Sequence, residues 1–418
     1  MGKSYTVRAV HCDHRASNEE VYRALRRATL PLVRSWEKLR QAKTIAIKFN
    51  QEWPIAKVVR FENQYQQLVS ESVERAVLRL LRENTTARLL CADAGVQAQW
   101  WGISQDQVTT IANILREFDV EFVDANAPPV VWRSVPGGGL MFGSYPIAQR
   151  VKNADCVISV QKMKNHAFMG VTLCLKNLFG LTPVMPHGRP RPYYHHLVRM
   201  PYMLADLGRI YDPTLCIVDA LVGQAEREWG DGVGTGRIVD ALIAGDHVIA
   251  TDACGAYLMG HDPAADWPTP PFHRDRNALL VAAQSGFGTV RLSDIDWVSE
   301  LPPQPRGVFY AAETDPGETV TTWRRTMCEQ ALFYRDNRAR FAQYTGEYIL
   351  LQRGEVRWRD RIGDMRVSRR DLAGEWASFA MWLKYVDPDE CEAERYEIYE
   401  RTLAMYASQR AGDSVRST

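Results

Sequence analysis

The sequence predicts an α/β fold: a mostly parallel sheet layered with helices, followed by a small α+β module at the C-terminus. Three observations lead there. Short apolar runs rich in β-branched residues recur through the first 300 positions. Most are followed by stretches whose apolar residues repeat at helical spacing, and strand–helix alternation of this kind builds parallel sheets covered on both faces. The pattern then breaks at Leu301-Pro302-Pro303, beyond which the chain turns charged and hairpin-like. With 418 residues, two or three domains are expected. We place an α/β domain at 1–300, a linker at 301–324 and the small module at 325–418.

In chain order, residues 18–40 read as a helix with Ser17 as its cap. Residues 43–50, KTIAIKFN, read as a short buried strand. Residues 67–83 carry Leu68, Val69, Val73, Val77, Leu80 and Leu81 at helical spacing. A strand follows at 87–95, a helix at 106–118 and a strand at 120–126. Residues 128–139, rich in Pro and Gly, read as a loop or hairpin. The run 155–160 is a strand, and 172–181 has helical spacing that Gly180 can stop. Residues 214–221 form another buried strand. The stretch 237–246 ends in a Gly-Asp turn, and 247–260 resumes a helix. In the module, 325–345 suit a charged helix and 346–358 a hairpin turning at Arg353-Gly354.

Bulk properties exclude several functions. Lys+Arg is 51 and Asp+Glu is 50, giving a net charge of +1. No global charge therefore points to nucleic acid or to an anionic membrane. No CxxC pair occurs among the eight cysteines, so reduced core thiols are expected, with no disulfide framework and no cysteine-ligated iron–sulfur cluster. The first residues lack an apolar signal region, and no run of ~18 apolar residues exists. A cytoplasmic protein without a membrane partner is expected.

The chemistry concentrates in DCVISVQKMKNHAFMGVTLCLKNLFG. A buried strand ends and releases Lys162, Lys164, Asn165 and His166, and a helix then carries Lys176 and Asn177. Ligands bind beyond the carboxyl ends of strands in open α/β sheets. Lys176 has apolar neighbours on nearly every side, so it needs a partner or a shifted pKa. Asp219 closes the strand at 214–221. We assign Lys164, His166, Lys176 and Asp219 to catalysis. Lys48, Asn50, Lys162 and Asn177 are assigned to substrate binding, with Trp100 and Trp101 as an apolar wall. A divalent metal is a candidate cofactor, with His166, His195, His196 and Asp219 as ligands. Arg189, Arg191 and Arg199 read as a solvated basic loop, and Asp93 with Gly95 as a turn. The run GDGVGTG at 230–236 fits neither standard phosphate-loop spacing.

These residues also carry a likeness. The segment from 154 to 180 resembles the signature of the domain-of-unknown-function 362 family, a strand, a Lys-x-His pair, then Thr-x-x-x-Lys-Asn-x-x-Gly. Here these are Lys164 and His166, then Thr172, Lys176, Asn177 and Gly180. IKFN at 47–50, TLCIVDALVG at 214–223 and IAGDHVIATDACGAYLMG at 243–260 match further family stretches, so the resemblance covers roughly 40–290. Some members resemble proteins fused to ferredoxin-type cluster modules, but this chain lacks their cysteine runs. The strand–Lys–His arrangement is also distantly similar to nickel-pincer lactate racemase. The combined reading is an enzyme acting on a small carboxylate-bearing substrate by Lys/His acid–base chemistry, of isomerase or lyase type and metal-assisted if an ion binds. The alternative is a metal-binding or redox accessory protein. The run 376–390, with several aromatics, suggests a homo-oligomer contact through the module.

Overall fold

The computed structural model describes residues 4–228, 234–362 and 381–416. Its strands are β1 (Tyr5–His11), β2 (Thr44–Phe49), β3 (Arg60–Phe61), β4 (Gln64–Tyr65), β5 (Arg88–Asp93), β6 (Glu121–Asp124), β7 (Val130–Ser134), β8 (Ser144–Ala148), β9 (Cys156–His166), β10 (Gly170–Thr172), β11 (Leu215–Ala225), β12 (Thr235–Gly245), β13 (Ile295–Ser299), β14 (Tyr348–Gln352), β15 (Glu355–Asp360) and β16 (Trp382–Tyr385). The main sheet runs β13-β1-β12-β11-β9-β2-β5-β6, with β10 folded back on β9. The pairs from β11 through β9, β2 and β5 to β6 are all parallel, and so is β1–β13. β12 is antiparallel to both its neighbours. The fold is the α/β class expected.

Alternation along the central strands feeds two apolar cores. On β11, Leu215, Ile217 and Leu221 pack with one core, while Cys216, Val218 and Ala220 pack with the other. On β2, Ile45, Ile47 and Phe49 face the first core and the small Ala46 the second. The first core is closed by helices Asn18–Thr29, Val33–Gln41 and Glu71–Asn84, and the second by Arg199–Tyr211, Val248–Leu258 and Ala278–Gln284. Strands buried on both faces need continuous apolar runs, which is what these sequences supply.

Several local readings are met and others corrected. Ser17 caps its helix in a reciprocal capping box with Glu20. The helix drawn through 18–40 is two helices broken around Pro31, since proline lacks the N–H and crowds the preceding turn. Residues 128–139 enter a hairpin of β7 with β8. The turn Arg353-Gly354 joins β14 to β15 with both φ positive, the geometry of a two-residue hairpin loop. The helix placed at 325–345 starts at Gly317, inside the expected linker. Before it, Phe309 and Ala311 are buried and Tyr310 O accepts the Glu226 N–H, so this stretch is packed against the sheet edge. Of the aromatics expected to be exposed at 376–390, Trp382 is 1% exposed. It is enclosed by Arg199, Tyr334 and Tyr399, because β16 is hydrogen-bonded to β14 over the second core. Residues 376–380, and 230–233 of the glycine run, lie outside the described residues. Seven cysteines are buried and Cys391 is exposed. Among the described residues no helix is long and apolar enough to cross a membrane.

One core position is at odds with its surroundings. Glu74, in the helix Glu71–Asn84, is fully buried, and neither carboxyl oxygen has a hydrogen-bond partner among the described residues. Burial, and the nearby Glu71 and Asp219, hold its pKa well above the usual 4.5. The unfolded chain releases this proton first, so stability falls as pH rises from about 4.5 toward the folded-state value. Glu74→Met should therefore raise unfolding stability by about 1–3 kcal/mol at pH 7, and by less at pH 4.5. Urea unfolding at the two pH values checks this, and an equal or absent gain would refute it.

Candidate active site

The parallel neighbours β11, β9, β2 and β5 all end on one edge of the sheet, and the site is built there. β9 is the decisive element. It does not stop at Val160, as the sequence suggests, but runs to His166, and all eleven of its residues are buried. Alternation places Lys162, Lys164 and His166 on the face that Ile158 and Val160 occupy lower down. The strand thus carries two amines and an imidazole outward in single file.

The deepest layer is structural. Lys162 Nζ lies 2.8 Å from Asp219 Oδ2 and 3.0 Å from Ser70 Oγ, with Lys162 and Asp219 fully enclosed. The same Asp219 oxygen accepts the Ser70 N–H at 2.7 Å, and its other oxygen accepts Leu221 N–H at 3.1 Å. Burial lowers the Lys162 pKa, while Asp219 works against that shift. Asp219 is fully engaged below the site and does not join the groups at the strand tip.

Above it, Lys164 Nζ donates to Gln67 O at 2.7 Å. Burial pulls its pKa down to about 7, opposed by Glu228. At the tip, His166 Nδ1 accepts N–H groups from Phe168 (3.0 Å) and Met169 (3.3 Å). Burial comes first, and Lys176, His195, Lys164 and Arg191 add to it, in holding the imidazole pKa well below its usual value. The ring is therefore neutral, with its proton on Nε2. Glu228 Oε2 approaches His166 Nδ1 to 3.3 Å and accepts the Ala167 N–H at 3.0 Å. With the ring neutral this is not an ion pair. Burial raises the Glu228 pKa, opposed by its backbone hydrogen bonds and by Lys176 and Lys164.

The opposite wall is the short helix Cys174–Asn177. Asp252 caps it, its two oxygens accepting the N–H groups of Cys174 (2.9 Å) and Leu175 (2.7 Å). Asn177 Nδ2 is engaged by Lys48 O (2.9 Å), Ser159 Oγ (3.0 Å) and Val160 O (3.1 Å), so this amide is a clamp between helix and sheet. Lys176 is left facing the strand tip. Its Nζ sits 4.9 Å from the centre of the Phe179 ring, and Arg191 Cζ lies 4.7 Å from the same ring. Among the described residues, neither cation has a carboxylate within ion-pair distance. Burial leads in lowering both pKa values, and the Arg191 charge deepens the fall at Lys176.

The side toward β5 is acidic. Lys48 Nζ bonds Asp93 Oδ2 at 2.7 Å and Phe49 O at 2.6 Å. Glu52 Oε1 accepts the N–H groups of Gln97 (3.1 Å) and Ala98 (3.4 Å), and burial with Asp93 beside it pushes its pKa up to about 8.

The structure thus gathers Lys164, His166, Lys176 and His195, whose ring stacks on His166 at 5.8 Å and lies 4.9 Å from Phe168. Lys48 flanks them. Lys162, Asp219 and Asn177 form the layer beneath. Asn50 lies at the margin, its Oδ1 accepting from Gln161 at 3.0 Å. Trp100 is 67% exposed and Trp101 39%, with Trp101 edge-on to Trp53, so the pair stands on the outer side of its short helix. The four expected metal ligands do not assemble: among the described residues the groups of three or more ligand atoms within 4.8 Å lie elsewhere. Asp219 is engaged by Lys162 and Ser70, His166 Nδ1 by backbone, and His196 is buried beside Leu197 O. Sequence reasoning missed Glu52, Asp93 and Arg191. Their charge was visible, but their enclosure arises from contacts remote in the chain.

A family model described as a domain of unknown function, DUF362, matches residues 45–257. The chain belongs to the DUF362 family. The matched stretch contains every residue of the strand-tip cluster. Thylakoid-associated protein sll1697 of Synechocystis sp. is 30% identical over 128 residues, 29% of this chain. The chain spans 38% of that curated relative's length. The lactate racemase apoprotein from Thermoanaerobacterium thermosaccharolyticum aligns at a TM-score of 0.35 and 13% identity, over 61% of this chain and 57% of that one. Likeness of that extent says nothing about chemistry.

The Gly180 of the DUF362 signature has a steric role. A Cβ there would lie 2.4 Å from Lys48 Cε and 3.0 Å from its Nζ, and Lys48 is buried and held by two bonds. Gly180→Ala should cost about 1–3 kcal/mol of stability. Combined with Lys48→Ala it should cost less than the sum of the two single changes, as contacting residues do. A double-mutant cycle in urea reads this, and strict additivity would count against the contact.

Proposed function

We propose that this DUF362 chain is an enzyme that removes a proton next to the carboxylate of a small anionic substrate, as an isomerase or lyase does. The observation that carries the reading is the pair Lys176 and Arg191, two half-buried cations without a counter-ion among the described residues, set beside a neutral imidazole and a lysine poised near neutrality. Unpaired charges in a low-dielectric pocket favour an anion that supplies the missing partner. Arg191 presents a planar fork suited to a carboxylate, and Lys176 a point charge.

The roles follow from protonation state. Lys164, with a pKa of about 7, is the base that takes the Cα proton. The developing enediolate places negative charge on the carboxylate oxygens, where Lys176 and Arg191 hold it. The neutral His166 donates its Nε2–H to one of those oxygens, since its Nδ1 is occupied. Return of a proton to the opposite face gives an isomerase, and departure of a group from the adjacent carbon gives a lyase. Lys48, Lys162, Asn177 and Asp219 act by holding the walls in place.

Proton abstraction is read directly by exchange. In deuterated water, a panel of 2-hydroxy, 2-amino and 3-hydroxy acids is followed by proton NMR for loss of the Cα–H signal. Exchange should occur with at least one class and fall ~10²–10⁴-fold in His166→Ala and in Lys164→Arg. No exchange across the panel, or rates unchanged in both variants, would overturn the assignment. Because the base must be neutral, exchange should rise with pH through about 7 in the parent protein. A rate independent of pH between 5.5 and 8.5 would remove Lys164 from the role.

A further inference from the structure

A second group of ligand-type side chains stands on the same edge of the sheet. β1 is antiparallel to β12 and β12 to β11, so β1 ends where β11 ends. His14 follows β1 and is 6% exposed. Its Nδ1 lies 2.7 Å from Asp240 Oδ1, which also accepts the His14 backbone N–H at 2.7 Å. Asp13 Oδ1 is 3.7 Å from the same nitrogen. Across the ring, Nε2 is enclosed by protein and has no hydrogen-bond partner among the described residues. It faces Glu62 Oε2 at 3.8 Å. Glu62 sits on the turn between β3 and β4, and Gln64 of that hairpin donates to His14 O at 2.7 Å. Arg15 bonds Glu62 at 2.9 Å, but its side chain is 70% exposed and free to swing aside.

A carboxylate only accepts, so Asp240 bonds Nδ1 because that nitrogen carries hydrogen. In the singly protonated ring Nε2 presents a lone pair, and the group opposite it, Glu62, is also an acceptor. Two acceptors turned toward each other call for a cation between them. The 3.8 Å separation exceeds hydrogen-bond reach, whereas bonds of about 2.0–2.2 Å from each to a central ion span it with little movement. Imidazole with carboxylates suits divalent transition ions, and a carboxylate on the far ring nitrogen is the usual outer partner of a metal-bound histidine.

We propose that His14 and Glu62 bind a divalent transition-metal ion of the zinc class, with Asp240 orienting the imidazole and Asp13 adding negative charge beside it. The site is separate from the strand-tip cluster and stands whether or not that cluster performs the reaction assigned to it. The two are joined by one segment: Glu62 and Gln64 meet His14 at one end, and Gln67 O receives Lys164 at the other.

Zinc titration calorimetry on the full chain, stripped with EDTA and dialysed, tests the site. A Cys391→Ser background takes the thiol out of the exposed Asp387, Asp389 and Cys391 group, which also gathers ligand atoms. One equivalent of zinc per chain should bind. It should be lost in Glu62→Gln and in His14→Gln, and weakened ~10–100-fold in Asp240→Asn. Glu62 lies at the surface, so its variant stays informative should the buried His14 change impair folding. No binding in the background protein would end the proposal. Undiminished binding in Glu62→Gln would end it equally.

Discussion

The interaction on which the site depends is the enclosed ion pair of Lys162 and Asp219. A lysine in the middle of a sheet buried on both faces is tolerable only with its charge matched and its remaining hydrogens accepted. Asp219 does the first and Ser70 Oγ shares in the second, while Asp219 also accepts the Ser70 N–H. β9, β11 and the start of the helix Glu71–Asn84 are locked together by these contacts. Breaking such a pair by removing one member costs about 3–5 kcal/mol. With the middle of β9 fixed in this way, Lys164 and His166 are delivered to the tip at set heights. Beyond Asp219 the β9–β11 register shifts, and pairing resumes with Gln224 opposite Lys164.

The C-terminal module contributes to the site without reaching it. Arg199 Nη2 pairs with Glu394 at 2.8 Å, and Arg189 Nε with Glu392 at 2.8 Å. Tyr193 OH also donates to Glu392 at 2.7 Å. These contacts fasten the segment from Arg189 to Arg199 against β14 and β16, and Arg191 and His195 belong to that segment. The module is better described as a splint for one side of the cluster than as an independent appendage. Its core residues, among them Tyr348 and Trp382, are continuous with the second core of the α/β domain. This explains why Arg199, part of a stretch that looks like a solvated loop in the sequence, is fully buried in the fold, with Arg189 and Arg191 half-buried beside it.

What was legible in the sequence follows the range of the forces involved. Local signals held: the Ser17–Glu20 capping box, the Arg353-Gly354 turn and the apolar strand runs each depend on neighbours a few residues away. The Pro31 break was equally local and was overlooked because the apolar spacing continues across it. The length of β9 was misjudged for a different reason. Its outer half is polar, and polar alternation reads as exposed loop unless the partners that bury it, Asp219, Ser70 and Gln67, are known. Arg191 and Glu52 are hidden from the sequence on the same ground, since their partial burial is created by segments far along the chain.

The signature Thr-x-x-x-Lys-Asn-x-x-Gly illustrates how such a motif divides its labour. Asn177 saturates backbone acceptors of β2 and β9, and Gly180 gives clearance to Lys48, so both hold the short helix at one distance from the sheet. Among the described residues Lys176 is the member without such an engagement, and it is half-buried. A lysine held in this way bears an electrostatic cost that a structural residue would not. That cost is tied to the rigidity of the motif, since the contacts that fix the helix against the sheet leave its amine near Lys164, Arg191 and the Phe179 ring.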